Sequence, residues 1–187
     1  MLDMHYHKYL LELVKELVFK FFRPLDHQFL HDCQCGKLED MELTIEKLIK
    51  FGQGVDSKNK YDMTGLHWAT QGGHENVVEF LLEKGATVNL VNKIGMSPLH
   101  IASRDGHLGI IKLLLNTNEV DIEAECYDPT GSTPLILAAE GGHLEILELF
   151  HSKGVKLNTT NNFGRTALNI AELMGHKNIV EYLKPFM

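Results

Sequence analysis

The residues best suited to metal binding or nucleophilic catalysis in this 187-residue chain are its eleven histidines and three cysteines. His5 and His7 form an H-x-H pair, but residues two apart do not share a face of a helix. Cys33 and Cys35 form a C-x-C pair with no second pair downstream, whereas a structural zinc site usually takes four ligands. We therefore predict no metal site.

Acidic and glycine-rich stretches suggest two further kinds of site, one for calcium and one for phosphate. Five acids lie between Glu119 and Asp128, yet the segment lacks the glycine and the spacing of an EF-hand calcium loop. A solvated loop is the simpler interpretation, and contact with a basic partner is the main alternative. No G-K-S or G-K-T motif follows the glycines at 52–56 or 85–89, so no phosphate-binding loop is predicted. We expect no cofactor, no small-molecule substrate and no catalytic residues, and hence no enzyme.

Six of the histidines recur in a regular pattern, which favours hydrogen bonding to nearby backbone over catalysis. They are His67, His74, His100, His107, His143 and His176. Each lies within, or at the end of, one of four similar stretches, and successive stretches start 33, 36 and 33 residues apart. The stretches are Asn59–His74, Asn92–His107, Asp128–His143 and Asn161–His176. A degenerate copy lies upstream, where Ile45–Asp56 is similar to Val78–Asn89.

The shared positions have physical reasons. An Asn or Asp followed three residues later by Gly suits a tight turn, although the first complete copy has Asp62 at the glycine position. A hydroxyl residue then caps a helix, with Pro98 and Pro134 at the first helical position. The predicted caps are Thr64, Ser97, Thr133 and Thr166. A glycine ends this first helix and an apolar run forms a second, so the pattern predicts a repeated pair of helices.

This order and period resemble the ankyrin repeat, whose signature runs D-x-x-G-x-T-P-L-H-x-A-A, then G-H, then a Leu-rich helix and G-A-x-V-N. The resemblance implies an all-α ankyrin-repeat solenoid of helix-turn-helix repeats with β-hairpin-like loops over residues 30–187. We predict a degenerate repeat at 30–58 and further repeats at 59–91, 92–127, 128–160 and 161–187, the last serving as a cap.

The first 29 residues follow a different pattern, that of an amphipathic helix and a linker. Leu10, Leu17 and Phe21 fall on one apolar arc, and Pro24 marks the end of the helix. The favoured interpretation is a cap over the degenerate repeat. The alternatives are self-association or partner docking through residues 2–22, and binding at a membrane surface, which the mixed charges disfavour.

Charge and cysteine content limit the partners and the compartment. A net charge of −7 argues against nucleic acid. Three cysteines are too few for a disulfide framework and fit a reducing environment. Charged residues interrupt the N-terminal apolar residues, so neither a signal peptide nor a membrane span is predicted. The expected location is intracellular, in the cytoplasm, the nucleus or both, or inside a host cell for a bacterial effector.

The resemblance implies a concave binding face made of hairpin tips and the inner sides of the first helices. Apolar residues in turns, with Arg nearby, match the composition of protein interfaces. Trp68 occupies a core position of the repeat and is expected to pack inside. The predicted partner-binding residues are Tyr61, Met63, Ile94, Met96, Arg104, Asp105, Phe163, Arg165 and Met174.

Together these features predict a non-catalytic module that binds a partner protein, whose identity the sequence does not specify, through the concave face. The alternative is a scaffold or assembly subunit that self-associates through the N-terminal helix.

Overall fold

A computed structural model of the chain describes residues 29–38, 44–45 and 54–186. The predicted N-terminal amphipathic helix lies outside these residues, as do the self-association proposed for residues 2–22 and much of the degenerate repeat. Residues 29–35 are helical.

Within residues 54–186 the chain forms eight α-helices arranged as four consecutive pairs. They are α1 (Gly65–Gln71), α2 (Glu75–Glu83), α3 (Pro98–Asp105), α4 (Leu108–Leu115), α5 (Pro134–Gly141), α6 (Leu144–Ser152), α7 (Ala167–Met174) and α8 (Lys177–Leu183). A short 3-10 helix at Lys184–Phe186 follows. Thr160 and Thr166 form an isolated antiparallel bridge, and the described residues contain no strand. The prediction of an all-α repeat fold is confirmed.

Each first helix begins at a predicted cap. The hydroxyl of Thr64 accepts a hydrogen bond from the His67 backbone N–H at 3.4 Å, and His67 Nδ1 accepts one from the Thr64 N–H at 3.2 Å. Ser97 and His100 repeat this reciprocal arrangement. Pro134 starts α5, where its missing N–H has no helical partner to lose. The sequence signals for these helix starts are therefore confirmed.

Helix pairs stack because small residues let the first helices approach closely. Successive first helices α1, α3, α5 and α7 contact one another, and α2 contacts α4. Ala69, Ala102 and Ala138 are fully buried between them. One continuous apolar core runs from Phe29 to Leu183, so each pair covers the apolar surface of its neighbour. No described helix is long and apolar enough to cross a membrane.

Candidate functional site

The hairpin loops between helix pairs lie side by side and are joined through their backbones. Three hydrogen bonds link successive loops, each from an N–H of one loop to a carbonyl of the loop before it. They run from Lys93 to Tyr61 (3.1 Å), from Tyr127 to Ile94 (2.9 Å) and from Asn162 to Thr130 (2.9 Å). The loop tips therefore form one continuous structure along the array.

Each tip is closed by the Asn or Asp that begins it. Asn92 Oδ1 accepts hydrogen bonds from the N–H groups of Ile94 (3.1 Å) and Met96 (3.0 Å). Asn59 and Asn161 make the same two bonds in their own loops, and Asp128 Oδ1 accepts from the backbone of Thr130 and Gly131. The residue two positions after each Asn donates its N–H to that Asn and has an exposed side chain.

Three of the predicted binding residues are these outward side chains. Tyr61, Ile94 and Phe163 are 56%, 49% and 60% exposed. A fourth apolar tip residue, Tyr127, is 74% exposed, and sequence reasoning did not single it out. We call these four residues the apolar ridge. Exposed apolar side chains in a row are typical of interaction surfaces.

Tyr127 occupies its place because of a glycine in the preceding loop. Gly95 has a φ of 77°, and a Cβ there would collide with the backbone N and the ring of Tyr127. The Tyr127 ring therefore lies directly over Gly95, next to Ile94. The sequence does show an aromatic residue, Tyr127, at the end of the longer loop. It does not show that this residue packs against Gly95 of the preceding loop.

Met63 and Met96, two further predicted binding residues, are buried in the same loops that expose Tyr61 and Ile94. Both are buried in a small apolar cluster with Ile101, Leu137 and Cys126, and Trp68 packs partly buried against it. Trp68 was expected to pack inside, and the structure places it partly buried against this cluster. The two methionines are thus part of the interior of the loops, whereas the neighbouring residues Tyr61 and Ile94 are exposed.

The ends of the first helices supply the charged part of the surface. Both oxygens of Asp105 accept from the guanidinium of Arg104, at 2.8 and 3.1 Å. This hydrogen bonding raises the pKa of Arg104, and Glu140 on the next first helix adds to the effect. Arg165, Leu173 and Met174 are exposed on or before α7.

The recurring histidines hold neighbouring repeats together. His67 Nε2 donates to the Met96 carbonyl at 3.1 Å, and His100 Nε2 to that of Ala124 at 3.0 Å. His74, His143 and His176 make equivalent bonds to the carbonyls of Gln34, Arg104 and Glu140 in the preceding repeat. Burial, the largest effect, lowers the pKa of His67 from 6.5 to about 4. The predicted backbone-bonding role is confirmed for these five.

The cysteines are free thiols. Cys33 is fully buried, and its burial, with nearby Asp32, raises its pKa. Cys126 is buried and its thiol lies 3.1 Å from Asp128 Oδ1, and burial is the main reason that its pKa is raised. Cys35 is exposed, with its sulfur 3.7 Å from His31 Nε2. No group of three or more His, Cys, Asp or Glu able to hold a metal ion occurs among the described residues.

Comparison with known proteins identifies the repeated unit. A family model described as ankyrin repeats (3 copies) matches residues 6–126 and again residues 120–185. A search of curated proteins found no match. Since the two matched regions together include most of the sequence, and the helix pairs follow the same period, the chain belongs to the ankyrin-repeat family, whose members generally bind other proteins.

Proposed function

We propose that this protein is a non-catalytic interaction module that binds a partner protein across the apolar ridge and the adjoining ends of the first helices. The observation that carries the proposal is the row of outward apolar tip residues on loops whose backbones are hydrogen-bonded to one another. Because the loops are fixed before binding, association loses little loop entropy.

The proposed contacts are the exposed members of the predicted set, the half-buried pair Arg104 and Asp105, and Tyr127. They are Tyr61, Ile94, Tyr127, Phe163, Arg104, Asp105, Arg165 and Met174. Met63 and Met96 are buried in an apolar cluster within these loops and are left out of the proposed contacts. A standard interface buries roughly 800 Å² on each partner, an area of the size that several tips and helix ends can supply.

We also propose that the protein acts in a reducing, intracellular environment. The support is that Cys33, Cys35 and Cys126 are all free thiols.

The test of the proposed surface is a quantitative pull-down with the full chain and the double variant Ile94→Asp/Phe163→Asp. Charged side chains on the ridge should reduce recovery of a specific partner at least about tenfold, because each introduces an unpaired carboxylate into an apolar contact. The matched control is Phe186→Asp, since Phe186 is also 49% exposed but lies beside His151 and Tyr182, away from the tips.

The control should retain the partner that the ridge variant loses. Equal recovery by the parent chain and the ridge variant contradicts the proposed surface. Circular dichroism of all three proteins checks that the substitutions leave the helices intact.

A further inference from the structure

The negative charge of this protein is concentrated in one part of the array. Between residues 113 and 152 the sequence contains eight Asp or Glu and no Lys or Arg, although the whole chain has 18 basic residues. Four of the eight lie in the loop after α4 and are exposed: Glu119, Asp121, Glu123 and Glu125. This loop is the longer connection that distinguishes the second complete copy from the others.

Two of these carboxylates, Glu123 and Glu125, shortly precede the ridge residue Tyr127 in the chain. Exposure alternates along the loop, with Glu123, Glu125 and Tyr127 exposed, Ala124 less so and Cys126 buried. Glu123 lies in a turn, and residues 124–126 follow it without helix or turn. We call Glu123 and Glu125 the acidic edge, which continues directly into the ridge at Tyr127.

The backbone of the acidic edge is held in place on both sides. The anchoring bonds run from His100 Nε2 to the Ala124 carbonyl (3.0 Å), from the Cys126 N–H to the Ser132 carbonyl (3.2 Å) and from the Tyr127 N–H to the Ile94 carbonyl (2.9 Å). Asn89 fixes the start of the loop, because its side chain bonds the Glu119 carbonyl and the Asp121 N–H. The carboxylates are therefore displayed from a fixed backbone.

A cleft beside the acidic edge offers room for a long side chain. Glu123 and Glu125 line it together with Lys156, and the remaining lining residues, Thr133, Val155, Thr159 and Thr160, are uncharged. Its volume is about 190 Å³. With two carboxylates and one ammonium group among these side chains, the cleft favours a positively charged occupant.

We propose that the acidic edge selects the partner, and that the partner presents a segment in which Lys or Arg side chains alternate with apolar ones. The basic side chains contact Glu123 and Glu125, and the apolar ones contact Ile94 and Tyr127. This inference rests on the proposed function, because it specifies the chemistry of the partner that the ridge binds.

Charges elsewhere on the tips restrict where the partner is basic. Lys60 lies over the ring of Tyr61, with its Nζ 4.9 Å from the ring centroid, and Lys93 is exposed beside Ile94. A segment that is basic along its whole length meets like charge at these lysines. The basic residues of the partner are therefore clustered opposite the acidic edge.

The experiment selects a random-peptide display library on the full chain and measures binding of the selected peptides to variants. We expect enrichment of Lys or Arg next to apolar residues and depletion of Asp and Glu. Binding should fall about tenfold on Glu123→Lys/Glu125→Lys and weaken as salt rises. The matched control is Glu79→Lys/Glu83→Lys, which makes the same charge change at exposed positions on α2. It should bind the peptides almost as well as the parent chain.

Each other result has a distinct meaning. Selected peptides without basic enrichment, or equal weakening by both charge variants, overturn the inference. If those peptides still lose binding on Ile94→Asp/Phe163→Asp, the proposed function stands and only the partner chemistry is wrong. If the ridge variant binds them as well as the parent chain does, the proposed function fails too.

Discussion

At the scale of single residues, His67 connects the start of α1 to the next hairpin. The residue is fully buried, its Nδ1 accepts from the Thr64 N–H at 3.2 Å, and its Nε2 donates to the Met96 carbonyl at 3.1 Å. A ring that accepts at one nitrogen and donates at the other is neutral. Protonation therefore removes the acceptor at Nδ1 and places an uncompensated charge in the core.

Acid should destabilise the protein through this residue. The pKa of His67 is about 4 in the folded chain against 6.5 for an ordinary histidine, so the unfolded chain binds more protons between these values. The contribution of neutral His67 to the free energy of unfolding is fully present above pH 6.5 and is lost as the pH falls to about 4. The full effect is about 3 kcal/mol in the free energy of unfolding. Urea unfolding at a series of pH values measures it.

The last copy suggests the control for this experiment. Asn169 stands at the position of His67, and its Oδ1 accepts from the Thr166 N–H at 3.1 Å. His67→Asn should keep the helix cap and lose the bond to Met96, which lowers stability at neutral pH but makes its decline with acid shallower. If the free energy of unfolding declines equally with acid in the parent chain and in His67→Asn, His67 is not the group responsible. His100, whose pKa burial also lowers, accounts for part of the remaining slope.

At the scale of elements, the hairpin tip determines which side chains face a partner. The turn requires a residue with positive φ at its fourth position, where Gly95, Gly131 and Gly164 have φ values of 77°, 56° and 67°. Asp62 adopts a φ of 59° at the same position of the first tip. Left-handed backbone is costly for residues with a Cβ, so this tip is strained where the others are not.

Asp62→Gly should therefore stabilise the protein by about 0.5–1 kcal/mol. The gain is measured as a higher urea midpoint with an unchanged m-value. The converse change, Gly95→Ala, should destabilise by more than about 1 kcal/mol, since the new Cβ is strained and also collides with Tyr127. A loss of stability in Asp62→Gly would mean that the Asp62 side chain makes a compensating contribution.

The elements were easier to predict from sequence than the surface. Caps, prolines and glycines are local signals, so the helix starts could be predicted from a few adjacent residues. The burial of Met63 and Met96 depends on Ile101 and Leu137, which belong to first helices of neighbouring repeats. The position of Tyr127 depends on its packing against Gly95, which belongs to another loop. Such contacts depend on how closely neighbouring repeats stack, and the sequence of one repeat alone does not specify that distance.

At the scale of the whole molecule, the period alone was enough to predict the fold class. One helix pair cannot bury its own apolar faces, so recurrence of the pattern implies stacking. The fully buried Leu81, Leu114 and Phe150 lie in successive second helices of the resulting continuous core. The boundaries assigned to individual repeats stay a prediction, because neighbouring repeats share this core.

Stability should vary along the array. The pairs α3–α4 and α5–α6 have helix pairs on both sides, whereas α7–α8 is followed by the short 3-10 helix. Hydrogen exchange should therefore be slower in α3–α6 than in α7 and α8. Gly142→Ala should increase exchange in α7 and α8 while leaving α3 unchanged, since the added Cβ would lie 2.7 Å from the ring of His176. Uniform exchange in both proteins contradicts this view of the array.

The rings of His107, His143 and His176 rest against Gly73, Gly106 and Gly142 of the preceding copies. The same contact recurs at all three of these junctions, although the junction between Gly106 and His143 contains the longer loop. The copies that start 33 and 36 residues apart can therefore stack at one common distance. A longer loop can therefore add side chains to the exposed tips while the histidine-to-glycine contact between neighbouring helix pairs is kept.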